Sequence, residues 1–185
     1  RVSMIEKISG ALMNYIHQSL PEKTEEELEK IKYGIDIFLL NIYKIIILLF
    51  VAGIFHVLTE MILAMFSFGV IRMFASGLHM RKGWTCLFMT ALVLFSVILL
   101  SYYIPLQPGS KLGVFLFSTI LFFFYAPADT EEKPLINSVL RTKLKKITLL
   151  VSLLFYILSM TVFYQHIIGS ILIYSLLMES LLVTP

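Results

Sequence analysis

The sequence has one cysteine among 185 residues, and only 15% of its residues are charged. A single cysteine excludes an internal disulfide framework and a cysteine-based zinc cluster. The low charge, set against 58% hydrophobic residues, excludes intrinsic disorder, whose signature is the reverse balance. It also excludes an ordinary soluble domain, which carries roughly 25% charged and 45–50% apolar residues. There is no H-E-x-x-H, G-x-G-x-x-G or Walker pattern, and His17, His56 and His166 stand at no metal-ligand spacing from one another. No metal, cofactor or nucleic-acid partner is therefore expected. Internal repeats, low-complexity tracts and the motifs of intramembrane serine or aspartyl proteases are missing as well. The opening stretch, Arg1 to Ser19, lacks the apolar run and small-residue end of a cleavable signal, and none is expected there.

What the sequence does have is apolar segments. Six run roughly over 35–58, 61–78, 85–105, 112–127, 147–164 and 167–183, near the ~20 residues that a membrane helix needs. Arg72 interrupts the second and the fourth is short, so either is open to a re-entrant or tilted path. Before them, residues 2–20 pattern as an amphipathic helix. Val2, Ile5, Ile8, Leu12, Tyr15 and Ile16 fall near one face, which suits a bilayer interface or the protein's own membrane domain. Thr24 and Glu27 then match a capping box, and Glu26 and Lys30 an i,i+4 pair. The expected fold is an all-α integral membrane protein, with an N-terminal amphipathic helix and about six transmembrane or re-entrant helices. Residues 1–34 would form a polar cytoplasmic helical region and 35–185 the polytopic domain.

Basic residues set the orientation. Arg1, Lys7, Lys23, Lys30 and Lys32 precede the first segment. Arg81 and Lys82 lie between the second and third. Lys133, Arg141, Lys143, Lys145 and Lys146 lie between the fourth and fifth. Against these twelve, only Lys111 falls in a connection on the other side. The positive-inside rule makes the basic side cytoplasmic, with both termini. Lys44 and Arg72 fall within segments, where a charge needs a partner or a wet cavity; Glu60 and Glu179 are available carboxylates, and Asn41 lies one turn from Lys44. Structural pairing is the commoner role for such residues.

The chemistry-bearing stretch is Arg72 to Cys86. It holds the only cysteine and, seven residues upstream, His79. An imidazole can take a thiol proton and leave a nucleophilic thiolate. Seven residues on one helix span about 10.5 Å, too far for the ~3 Å contact this requires. The pair therefore needs a chain reversal, and Gly77 and Gly83 bracket the segment where it would occur. The bland alternative is also common: a lone cysteine in an apolar helix is usually a small buried side chain.

The pattern Arg72…Gly77-Leu78-His79…Cys86 resembles the R-x4-G-x-H-x6-C core of the accessory gene regulator B family, membrane peptidases of Gram-positive quorum sensing. Tyr125-Ala-Pro-Ala-Asp-Thr-Glu-Glu-Lys-Pro-Leu135 resembles that family's YAPA-x-T-x-x-KP loop, and Asn41 to Lys44 its N-x-x-K pattern. The resemblance implies a cysteine endopeptidase with Cys86 as nucleophile and His79 as general base, Arg72 and Gly77 supporting. It implies an AgrD-like pro-autoinducer peptide as substrate, a thioester on Cys86, and a thiolactone or lactone product. It also implies a homodimer. Lys143, Lys145 and Lys146 would meet the acidic tail of the precursor or anionic lipid, although the same charges serve the positive-inside rule. Asp129 and Glu60 are the carboxylates considered for orienting His79. The rival reading is a non-enzymatic transporter or peptide export component whose intramembrane charges line a polar path, although no duplicated halves are visible. A membrane acyltransferase using Cys86 has no further motif behind it.

Overall fold

The structure, a computed structural model, describes residues 4–19, 24–75, 83–128 and 138–184. The described residues form seven α-helices and no strand: α1 (Met4–Ser19), α2 (Glu25–Ile54), α3 (Leu58–Ala75), α4 (Gly83–Tyr103), α5 (Pro108–Tyr125), α6 (Ser138–Thr161) and α7 (Ile167–Val183). The chain divides into two compact units, Arg1–Val51 and Ala52–Pro185.

In the first unit, α1 leaves Leu12 and Tyr15 exposed. The expected capping box begins α2. Thr24 donates its N–H to Glu27 Oε2 at 3.2 Å, and Glu27 donates its N–H to Thr24 Oγ1 at 3.3 Å. Each residue thus satisfies a donor the helix end would otherwise strand. Glu25, Glu26 and Glu27 in the first turn complement the helix dipole, and Lys30 pairs with Glu26 at 2.6 Å. The solvated stretch is continuous with the first apolar segment: α2 runs 30 residues, about 45 Å at 1.5 Å per residue. Phe38, Ile46 and Phe50 are exposed along it. A helix this apolar and this uncovered is at home in lipid, where its backbone is satisfied internally.

The second unit opens with the end of α2. His56, at φ 57°, closes that helix: its N–H donates to Gly53 O at 3.2 Å and the Val57 N–H to Ala52 O at 3.0 Å. This is the two-bond closure that a left-handed residue makes possible. Five helices follow, and α7 lies among the other four, packed against α3, α4, α5 and α6. It is buried around most of its circumference, as an apolar helix without a polar face should be. Small polar residues allow the close approach: Ser67 of α3 and Ser175 of α7 share a hydrogen bond at 3.2 Å. The outward faces of the surrounding helices carry Phe66, Phe88, Phe124 and Leu150.

Arg72 does not break the second apolar segment. It occupies the last turn of an 18-residue helix, about 27 Å long, and α5 has the same length. These two, with α2, α4 and α6, are long and apolar enough to cross a membrane; α7 is shorter, at 17 residues. Two local expectations are corrected. Lys111 is not in a connection but in the first turn of α5, 1% exposed. Its ammonium is accommodated because Nζ donates to the carbonyls of Ser159 at 3.0 Å, Phe163 at 3.5 Å and Tyr164 at 3.0 Å, at and just beyond the end of α6. Carbonyls there carry the negative end of the helix dipole. The basic stretch before the fifth segment is helical from Ser138, because Leu140, Leu144 and Ile147 recur at helical spacing within it.

Candidate active site

Cys86 lies in the first turn of α4 and is half-buried. Its carbonyl accepts the Thr90 hydroxyl at 2.8 Å, one turn on. Cys86 lines a cleft together with Phe68 and Arg72 from α3, Met89, Thr90 and Val93 from α4, and Leu182 from α7. Helix α3 ends at this cleft, α4 begins at it, and α7 passes it near its own end. The cleft is mostly apolar, and Arg72 brings it a cation.

Contacts with Glu179 and Phe68 help to hold Arg72. Its Nη1 donates to Glu179 Oε2 at 3.3 Å, and its guanidinium lies 5.7 Å from the centroid of the Phe68 ring, one turn back on α3, within cation–π range. Glu179 is 0% exposed. Of the two carboxylates available to the intramembrane cations, Glu179 therefore serves Arg72. Glu60 accepts the Tyr102 hydroxyl at 2.6 Å. It lies twelve residues before Arg72 on the same helix, about 18 Å away along the axis. Gly77, His79 and Asp129 lie outside the described residues.

The YAPA stretch returns to this end of the bundle. Ala126 is buried in the core with Ile71, Ala75 and Leu172, and Ala128 donates its N–H to Ala75 O at 3.0 Å. The motif leaving α5 thus closes on the last residue of α3, three positions after Arg72. Lys143, Lys145 and Lys146 follow in the N-terminal part of α6. They are not equivalent: Lys143 and Lys146 are exposed, while Lys145 is half-buried with its Nζ 4.5 Å from the Phe123 ring centroid.

Sequence reasoning named Arg72 and Cys86, and the structure brings them to one cleft. It missed Phe68 and Leu182, whose only signal is helical spacing: Phe68 four before Arg72, Leu182 three after Glu179. No group of three or more metal-ligating side chains occurs among the described residues.

Comparison with known proteins decides the family. The accessory gene regulator B family model matches residues 9–183. The chain belongs to that family. An AgrB-like protein of Clostridium acetobutylicum is 35% identical over 82% of this chain and 72% of its own length. An AgrB-like protein of Lactiplantibacillus plantarum is 30% identical over 98% of this chain and 90% of its own. No solved structure gives a significant match. Membership of the accessory gene regulator B family gives the chain a role in that quorum-sensing system. With five apolar helices long enough to span a bilayer, it is a membrane protein.

Proposed function

We propose that the chain is a membrane cysteine endopeptidase that cleaves a pro-autoinducer peptide at Cys86. The observation that carries this reading is the cleft itself. The one cysteine of the chain is half-buried and lines a cleft that Arg72, held by Glu179, also lines, within the R-x4-G-x-H-x6-C stretch of an accessory gene regulator B family member. Of the charges that a transport path would need, Arg72 and Glu179 pair with each other and Glu60 accepts the Tyr102 hydroxyl.

His79 takes the proton of the Cys86 thiol, and the thiolate attacks a peptide carbonyl of the precursor. The carbonyl oxygen gains the charge, and Arg72, on the wall of the same cleft, receives it or a neighbouring carbonyl. As the C–N bond breaks, His79 returns its proton to the departing amine. The C-terminal fragment leaves, and the N-terminal part remains as a thioester on Cys86. A side-chain thiol or hydroxyl of the peptide then attacks the thioester, loses its proton and frees the Cys86 thiol, closing a thiolactone or lactone. Thiol-for-thiol exchange is nearly balanced, whereas making a thioester from an amide is uphill, so removal of the released tail must draw the reaction forward. The apolar lining favours the peptide's own nucleophile over water.

Features of the same end of the bundle support the substrate and setting. The twelve-to-one distribution of basic residues supports a cytoplasmic position for the Arg72–Cys86 end and both termini. Exposed Lys143 and Lys146 suit an acidic precursor tail or anionic headgroups. The test is cleavage of a precursor peptide by the protein in liposomes, followed by mass spectrometry. Wild type should release the C-terminal fragment, and Cys86→Ala and His79→Ala should not. Cleavage surviving Cys86→Ala in the folded protein would remove Cys86 as nucleophile.

A further inference from the structure

A carboxylate in the most enclosed helix of a membrane bundle needs a reason. Glu179 stands in α7 and has no exposed surface. Its Oε2 accepts from Arg72, while Oε1 has no hydrogen-bond partner among the described residues. Taking a carboxylate out of water is costly, and an incompletely satisfied ion pair recovers the loss poorly; apolar residues of similar volume commonly serve a bundle as well or better. Stability alone is thus a weak account of Glu179.

Its position relative to the cleft supplies a better one. Arg72 is in the last turn of α3. A long cationic side chain at the end of a membrane helix tends to extend toward the nearby water and headgroups. Here the guanidinium is instead held inward, by Glu179 on α7 and by the Phe68 ring on its own helix. Phe68 and Arg72 line the cleft with Cys86, and Leu182, on the turn of α7 after Glu179, lines it too. The residue that anchors the cation and the residue that closes the cleft belong to one face of one helix.

We propose that Glu179 is a positioning residue for the cleavage chemistry: it keeps the Arg72 guanidinium on the wall of the Cys86 cleft and prevents its extension to the membrane surface. This role rests on the reading of Cys86 as the nucleophile. Glu179 acts through Arg72, and Arg72 meets the peptide.

The experiment compares wild type, Cys86→Ala, Glu179→Gln, Glu179→Asp, Arg72→Met and the Arg72→Met/Glu179→Gln double variant in liposomes. The probe is a synthetic full-length precursor with an amphipathic leader, an internal cysteine and an acidic tail. Initial rates over a range of peptide concentrations give kcat/KM, and unfolding curves in detergent report the fold. Glu179→Gln should lower kcat/KM by about 100-fold, the scale set by misplacing a catalytic contact by about an ångström. Glu179→Asp retains the charge but draws the carboxylate back by about 1.5 Å; it should lose about tenfold, and it decides the question if the Gln variant does not fold. The double variant should match Arg72→Met. A merely structural role would shift the unfolding midpoint and leave kcat/KM of the folded protein unchanged. Folded Gln and Asp variants within twofold of wild type would overturn the proposal, as would a Gln substitution that multiplies the loss caused by Arg72→Met. With Cys86→Ala inactive, those results overturn the positioning role alone. A Cys86→Ala variant that still cleaves overturns the peptidase reading and this role with it.

Discussion

Ala128 donates its backbone N–H to the carbonyl oxygen of Ala75 at 3.0 Å, tying the loop that leaves α5 to the last residue of α3. The contact sits where α3 gives way to the stretch that carries Gly77 and His79. Replacing Ala128 with proline removes the donor, whereas glycine keeps it. A typical hydrogen bond contributes about 1 kcal/mol. If that loss falls on the cleavage barrier, Ala128→Pro should slow precursor cleavage about fivefold, and Ala128→Gly should stay closer to wild type. Parallel initial-rate measurements in liposomes check this; equal rates for the two variants would detach the loop from the chemistry.

The far end of the bundle makes a separate prediction about folding. Lys111 Nζ donates to three carbonyls at the end of α6, and Ser159 Oγ donates to Gly169 O at 2.8 Å. A Cβ added at Gly169 would strike the Phe163 carbonyl oxygen and Lys111 Nζ. Lys111→Met leaves buried carbonyls without their donor and should cost about 1–3 kcal/mol. Gly169→Ala overpacks the same place and should cost a similar ~1–3 kcal/mol. Unfolding in mixed micelles measures both. The surviving folded fraction should cleave precursor at the wild-type rate per molecule, because the cleft lies at the other end of α5, α6 and α7.

Arg72 and Glu179 should also be coupled in stability. Arg72→Met strands a buried carboxylate, and breaking such a pair from one side costs roughly 3–5 kcal/mol. Arg72→Met/Glu179→Met removes both charges and should recover most of that loss. A double-mutant cycle on unfolding free energies tests the coupling; additive losses would mean the 3.3 Å contact contributes nothing.

The three lysines of α6 should separate by role. Lys145 stacks on Phe123, so Lys145→Gln should cost about 0.5–1 kcal/mol of stability. Lys143→Gln and Lys146→Gln remove exposed charges and should leave stability alone. If these two meet the acidic tail of a precursor, they should raise KM, and added salt should narrow the gap from wild type. A precursor with a neutralised tail should show no gap.

Sequence signals suffice where the cause of a structure is local. The Thr24–Glu27 capping box and the Glu26–Lys30 pair each lie within a single helical turn or so of sequence, and both occur. The helices follow from apolar runs of membrane length, because a bilayer leaves little choice of backbone. Lys111 was misplaced for the converse reason: its three acceptors are 48 to 53 residues away in sequence, and no hydropathy pattern carries that information. The start of α6 was hidden by its lysines, which lower the apolar average while leaving the helical spacing of Leu140, Leu144 and Ile147 intact. At the site, Cys86 and Arg72 stood out as the one thiol and an intramembrane cation. Glu179 was one of two candidate counter-ions, and only the packing of α3 against α7 distinguishes it from Glu60.

The central claim is the covalent intermediate. Wild-type protein in liposomes would be mixed with the precursor, quenched in acid within seconds and analysed by intact-mass spectrometry before and after hydroxylamine. The account predicts a mass increase equal to the N-terminal part of the precursor, mapped to Cys86, removed by hydroxylamine and missing from Cys86→Ala. Cleaved peptide accumulating without any adduct on Cys86, in a sample quenched before completion and with Cys86→Ala equally active, would contradict it.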